Sequence, residues 1–207
     1  MLVHEKEVEM KSRIMLGCIL ACLGLTMAVV VKTATAQGQS PSSPASVRTP
    51  VMTAIECGEG YTSFELYDMK INLLEIVRGA KAWDLIKEAS ASNKPPKVGF
   101  EYILARIRFE LSSRGPQQEC VHELRPEEFT PLSVDGKEYE TTSVVPPKPE
   151  LNGSLRSGHS LEGWVVFSVA KDDSKPLMLF DPASGGAMSR GKVIWFQLYP
   201  VRRDGTF

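Results

Sequence analysis

The stretch that decides the fold is residues 100–111, FEYILARIRFEL. From Ile103 to Leu111 the odd-numbered residues are all apolar, whereas two arginines and a glutamate lie among the even-numbered ones. Successive side chains of a β-strand point to opposite faces, so this alternation marks one face for burial. The pattern predicts a half-buried strand of an antiparallel sheet, since such sheets commonly bury one face and leave the other in water.

Further segments with strand-like patterns lie on both sides of this one. They are FELYDMKINLLEIV from Phe64, FTPLSV from Phe129, KEYETTSV from Lys137, GWVVFSVA from Gly163, KPLMLF from Lys175 and KVIWFQLYPV from Lys192. The apolar phase of the first shifts after Leu73, as at a β-bulge. Asp135-Gly136 lies between the second and third and is a strong hairpin signal. About seven short strands favour a mainly β protein, an immunoglobulin-like antiparallel β-sandwich of two sheets.

One segment between the first strands is helical in its spacing: residues 78–90, RGAKAWDLIKEAS. Its apolar residues recur at i, i+3, i+4 and i+7 from Ala82, which predicts one short amphipathic helix. We expect this helix to lie over an open end of the sandwich and shield its core. Trp83 flanks the apolar stripe and is either a packing anchor or a ligand platform. The usual burial of large indoles favours the anchor.

The first 36 residues have the pattern of a targeting segment. Lys11 and Arg13 precede an uncharged run at residues 14–31, and Ala34 and Ala36 then fit the small-x-small rule for cleavage. This predicts a signal peptide. A retained N-terminal membrane anchor is the alternative, because a run of this length is at the lower limit for a membrane-spanning helix.

The chain therefore divides into three predicted parts. Residues 1–36 are the signal peptide or anchor, residues 37–56 a Ser/Pro-rich flexible spacer, and residues 57–207 the immunoglobulin-like domain. Lipidation at Cys22 is a weaker possibility, since apolar residues continue beyond that cysteine.

Two cysteines, Cys57 and Cys120, remain after the targeting segment. In an oxidising compartment they most simply form a disulfide, although two free buried thiols are the alternative. His122 follows Cys120 at i+2, and we expect it to be exposed beside the disulfide. The alternative hypothesis is an enzyme or metal site that uses Cys120, His122 and His159.

The charges are nearly balanced, with 24 Lys and Arg against 25 Asp and Glu. Such a chain has no basic footprint for nucleic acid. The sequence also contains no G-x-S-x-G nucleophile motif. We therefore expect no catalytic, cofactor-binding or metal-binding residues, and a partner that is an unknown protein or a cell-envelope component. A membrane would be contacted only through the N-terminal segment, if it is not cleaved.

A possible partner face is formed by three residues of the even-numbered row, Tyr102, Arg106 and Arg108. Tyrosine and arginine are favoured as interface anchors. A solvated sheet face with cross-strand ion pairs is the more ordinary explanation.

The succession from Leu73, LLEIVRGAKAWDLIKEASASNKPPKVGFEYILARIRFEL, resembles a set of exported bacterial proteins with an immunoglobulin-like domain of unknown function. That family carries RG-x-x-AW-x-LIK-x-A-N, a Pro-Pro and G-x-EY-x-L. The hairpin residues 135–139 and the segment EGWVVFSV at residues 162–169 also match, so the resemblance covers about residues 64–199.

The resemblance implies a surface lipoprotein or a secreted protein, in a superfamily that includes secreted immunogenic mycobacterial proteins. It implies no enzymatic activity and supplies no catalytic residues. Two departures are the sequence EAS at residues 88–90, in place of an Asn-ended turn, and the missing lipobox. We therefore expect an exported, non-enzymatic module for protein interaction or surface structure, secreted or on the extracytoplasmic cell surface.

Overall fold

A computed structural model describes residues 37–57, 65–115, 120–184 and 190–200, and this part of the chain is mainly β. A 3-10 turn at Pro126–Glu128 precedes the fifth strand. The other elements are β1 (Val51–Cys57), β2 (Glu65–Arg78), α1 (Ala80–Ala89), β3 (Phe100–Ser113), β4 (Val121–Leu124), β5 (Phe129–Leu132), β6 (Gly153–Arg156), β7 (Ser160–Ala170), β8 (Leu177–Phe180), β9 (Arg190–Gly191) and β10 (Ile194–Gln197). The predicted class, antiparallel β with one short helix between the first strands, is confirmed.

The strands form three antiparallel sheets that share one hydrophobic core. Their orders are β7-β3-β2-β1-β9, β10-β8-β5 and β4-β6. Phe109 of β3, Phe129 of β5 and Phe180 of β8 meet in this core, with ring centroids 5.1 to 6.1 Å apart. Aromatic rings at such distances pack the two larger sheets together, so the arrangement is sandwich-like.

Strand β3 has the buried face that its alternation predicts. Its odd-numbered residues from Ile103 to Phe109 are fully buried, and Leu111 is almost so. The strand pairs along its length with β2 on one side and β7 on the other. The register with β2 shifts between Leu73 and Glu75, which confirms the predicted bulge.

Helix α1 lies on the outer face of the five-stranded sheet rather than over an open end of the sandwich. Ala82 and Ile86 are fully buried against Tyr102 and Leu104 of β3, and half-buried Trp83 packs against the same group. The sheet therefore buries apolar side chains on both faces at this point. The position of Trp83 favours a packing anchor.

The spacer predicted at residues 37–56 is wrong, because the structure places this segment on the sandwich. The Ala45 N–H donates to Trp195 O at 2.8 Å, and Ala45 O accepts from Gln197 N–H at 3.0 Å. Ala45 is fully buried. The end of the segment is most of β1, where Val51 and Ile55 enter the core.

The predicted targeting segment, with Ala34 and Ala36, lies outside the described residues. Within the ranges that the structure describes, no helix is both long and apolar enough to cross a membrane.

The predicted hairpin at Asp135-Gly136 forms only in part. Strand β5 is present, but its partner forms only a bridge between Leu132 and Glu138, with backbone bonds from Ser133 N–H to Lys137 O and from Tyr139 N–H to Pro131 O. The next residues, 140–149, contain three prolines, which cannot donate to a ladder. We call residues 140–149 the strap.

The strap leads from the β5 layer to the outer face and returns to the edge of β7. Its Val144 packs with the residues under α1. Where the strap ends, Trp164 N–H donates to Pro149 O at 2.9 Å, and just beyond it Leu151 N–H donates to Trp164 O at 3.1 Å. A Cβ at Gly163 would lie 2.5 Å from Leu151 N, so only glycine fits beneath this crossing.

Candidate functional site

A cleft of about 880 Å³ lies between the strap and the loop that follows α1. This volume is in the range of sites that bind small ligands or peptide side chains. Most of its lining side chains are hydroxyl, amide, aromatic or charged: Ser92, Asn93, Lys94, Lys97, Phe100, Tyr102, Ser133, Asp135, Lys137, Glu138, Tyr139, Glu140, Thr141, Thr142, Ser143 and Ser168.

One end of the cleft is closed by Asn93. Its amide nitrogen donates to Ile86 O at 2.7 Å and to Val145 O at 2.9 Å, and its oxygen accepts from Val145 N–H at 2.9 Å. These three bonds fix the strap to the C-terminal end of α1. The two walls therefore have a defined separation at this end.

The walls are also joined by Lys97 and Glu140, whose Nζ and Oε2 atoms are 2.8 Å apart. The hydrogen bond from Lys97, followed by its charge, lowers the pKa of Glu140. The same bond raises the pKa of Lys97. Both side chains are strongly exposed, so water and salt screen the pair and it is free to open.

The base of the cleft is held by Tyr139 and Asp173. Tyr139 Oη donates to Asp173 Oδ2 at 2.8 Å, and the same carboxylate accepts from Val134 N–H and Lys175 N–H. Burial, followed by the bond to Asp173, raises the pKa of Tyr139 to about 12. Asp173 thereby links the hairpin of residues 133–139 to the turn between β7 and β8.

Tyr139→Phe is expected to lower the free energy of unfolding by about 1.5 to 3 kcal/mol at pH 8, because a hydrogen bond to a charged group is lost. The folded phenol has a pKa near 12, against 10.0 when unfolded. The contribution of its proton is therefore complete below pH 10 and is lost as pH rises to 12. Urea titrations of both proteins from pH 8 to 11.5 should show the difference shrinking. A constant difference would contradict the assignment.

The charged residues around the cleft balance one another. The lining contains three lysines and three acids: Lys94, Lys97, Lys137, Asp135, Glu138 and Glu140. A lining without net charge, rich in hydroxyl groups and with half-buried Phe100 and Tyr139, suits a neutral polar ligand better than an ion.

The predicted cysteine pair is present as a disulfide. It joins Cys57 at the end of β1 to Cys120 before β4, with the Cα atoms 5.9 Å apart. Cys120 is almost fully buried. The bond ties the five-stranded sheet to the β4-β6 ribbon, so the sulfur atoms are used in structure.

His122 is buried, which corrects the expectation that it is exposed. Its Nε2 lies 3.0 Å from Glu128 Oε1, and neither side chain has any exposure. Glu128 Oε2 also accepts from Arg125 N–H at 3.1 Å. His159, by contrast, is exposed on a turn, with Nδ1 3.1 Å from Ser157 O.

The rival site of Cys120, His122 and His159 thus has one residue in a disulfide, one in a buried pair and one in solvent. In residues 37–57, 65–115, 120–184 and 190–200, no three His, Cys, Asp or Glu residues are grouped so as to hold a metal ion.

The three residues of the predicted partner face do not lie on one surface, because Tyr102 is buried. Its side chain is 6 % exposed beneath α1, and its Oη donates to Lys94 O at 3.1 Å. Arg106 is half-buried and Arg108 is exposed, and each pairs with Glu162 across the strand, at 2.5 and 2.6 Å.

The arginine pairs make this part of the sheet an ion-pair ladder. Burial acts to raise the pKa of Glu162, but the hydrogen bonds from Arg108 and Arg106 outweigh it and lower the pKa. The Arg106 guanidinium also lies 5.9 Å from the centre of the Trp164 ring. These contacts favour the solvated face over the partner face.

Comparison with known proteins gives little to add to this geometry. No family model and no curated protein matches the chain. A similar solved structure is that of a "putative lipoprotein (ycdA)" from Bacillus subtilis, with 14% sequence identity and a TM-score of 0.46. The match covers 66% of this chain and 38% of that one, so the chain spans well under half of that protein. The resemblance to the exported immunoglobulin-like family stays a prediction.

Proposed function

We propose that the protein is an exported, non-enzymatic module that acts by binding a protein or another component of the cell envelope. The observation that carries this proposal is the Cys57–Cys120 disulfide. Disulfides form and persist in oxidising compartments and are rare in the cytosol. The targeting pattern of residues 1–36 supports the same location on independent grounds.

Binding rather than catalysis is supported by how the polar groups of the cleft are used. The Tyr139 hydroxyl is held by Asp173, and the Asn93 amide is held by the backbone of Val145. These contacts position the walls, and a fixed cleft of this size suits recognition. The balanced charge of the lining favours a neutral partner, and the chain as a whole has no charge pattern for nucleic acid.

The location is tested by fractionating a bacterium that expresses the full chain. We expect the protein in the medium or the membrane fraction, with an N-terminus at Gln37 if the segment is cleaved. Denatured without reductant it should show no titratable thiol from Cys57 or Cys120, and two after reduction. Recovery from the cytosol, or two thiols without reductant, would overturn the proposal and reopen the site of Cys120, His122 and His159.

A further inference from the structure

The edge of β7 is paired at one end and unpaired farther along. Trp164 N–H and C=O point away from β3, because the N–H donates to Pro149 at the end of the strap and the C=O accepts from Leu151 just beyond it. Backbone groups alternate along a strand, so those of Val166 and Ser168 point to the same outer edge. In the described ranges, no backbone hydrogen bond joins these two residues to the strap.

Open space runs along this unpaired edge. Ser168 lines the cleft of about 880 Å³, and Val166 lines a groove of about 200 Å³ with Phe129 and Pro131 at its base. Residues 140–142 line both spaces. The strap therefore faces the edge across a gap, and does not fill the place of the next strand.

An extended peptide backbone can pair with such an edge through its own N–H and C=O groups. Val166 and Ser168 offer two N–H donors and two C=O acceptors, which is the pattern that an added strand satisfies. The side chains near them provide apolar contact at Phe129 and hydroxyl groups at Thr141 and Thr142. Because the charges of the cleft cancel, the segment that fits carries no net charge.

We propose that a neutral, extended peptide segment of an envelope protein binds beneath the strap and adds a strand to the edge of β7 at Val166 and Ser168. This deepens the proposed binding role and rests on it. The exposed Lys97–Glu140 pair is the part of the cleft wall that opens to admit the segment.

The premise is tested first on the purified mature protein by amide hydrogen exchange. We expect the Val166 and Ser168 amides to exchange rapidly, and those of Val165 and Phe167, which bond to β3, to be protected. Slow exchange at Val166 and Ser168 in the free protein would show that the edge is already paired and would overturn the proposal.

Binding is tested with a phage-displayed library of random 12-residue peptides. Peptides selected on the wild type should bind Ser168→Pro about tenfold or more weakly, because proline lacks the N–H donor. Ser168→Ala keeps that donor, so it is the matched control and should bind as the wild type does. Proline is tolerated on an edge whose N–H faces solvent, and a melting temperature near that of the wild type would confirm folding.

A second form of the test does not depend on folding of the proline variant. Two N-methylated forms of a selected peptide are compared, one methylated at the odd-numbered residues and one at the even-numbered residues. One form should lose binding and the other should keep it, because only alternate N–H groups of a strand point towards β7. The bound peptide should also slow exchange at Val166 and Ser168.

The remaining outcomes decide against the proposal. No enrichment on the wild type over Ser168→Pro, or binding that is equal in both, would exclude this edge. A wild-type dimer that Ser168→Pro dissociates would make a second copy of the chain the occupant. Any of these results with the disulfide and export intact would remove only this inference and leave the proposed location.

Discussion

Replacing His122 by leucine is expected to lower the free energy of unfolding by about 1 to 3 kcal/mol, because it leaves a buried polar group without its partner. His122 and Glu128 are both without exposure, and their nearest polar atoms are 3.0 Å apart. Removing the imidazole leaves the Glu128 carboxylate in the interior without that partner. Urea denaturation of the mature protein at pH 7, followed by tryptophan fluorescence, measures the loss.

The double variant His122→Leu/Glu128→Gln is the control for the buried carboxyl group. It keeps an amide oxygen that can accept from Arg125 N–H, but it has no buried carboxylate. We expect it to be more stable than His122→Leu alone. A loss below about 1 kcal/mol for the single variant, or no recovery in the double one, would show that the pair contributes little.

Removing the disulfide is expected to cost about 4 kcal/mol on the chain-entropy model. Cys57 and Cys120 are 63 positions apart, so the bond restricts a long loop of the unfolded chain. The variant Cys57→Ala/Cys120→Ala should therefore unfold at a lower urea concentration than the oxidised wild type. Circular dichroism in urea gives both midpoints.

The wild type in excess reductant is the matched comparison for this variant. Both lack the cross-link, so their midpoints should agree closely. If reductant leaves the wild-type midpoint unchanged in a protein shown to be reduced, the bond does not contribute to stability. If the variant is far less stable than the reduced wild type, packing of the sulfur atoms contributes more to stability than the cross-link does.

The sequence predicts the strands that carry a long, regular alternation. Strand β3 and the bulge in β2 follow from period-two patterns, and α1 from its period near 3.6. The composition around β1 predicts a spacer instead of a strand because Ser and Pro dominate it, although Val51, Thr53 and Ile55 alternate. Composition is an average over a window, whereas a seven-residue strand depends on which side each residue points.

The sequence pattern predicts the wrong exposure for one face of β3, where α1 covers the five-stranded sheet as a second layer. The even-numbered row predicts an exposed Tyr102 because the row continues into Arg106 and Arg108, but α1 covers it at Tyr102 and Leu104. The burial of His122 could have been suspected from its place at i+2 from Cys120, since both then lie on the same side of a strand.

The cleft could not be predicted from local patterns. Its walls are the strap and the loop after α1, which have no regular period, and they are joined through Asn93 and Val145, far apart in sequence. Tyr139 and Asp173 are 34 positions apart in the same way. Such long-range pairs depend on tertiary contact, and no window of a single sequence contains both members.

The bonding of Gly38 has a consequence for the predicted cleavage before Gln37. Gly38 is buried, its N–H donates to Ser43 O, and its C=O accepts from Trp195 N–H, so the folded sandwich holds the chain at the second residue past the predicted cut. A peptidase needs several extended residues on each side of the bond that it hydrolyses, and a docked segment does not offer them. For a chain cut before Gln37, cleavage must therefore come before Gly38 docks against Trp195. This edge of the sandwich then forms only around the new amino terminus.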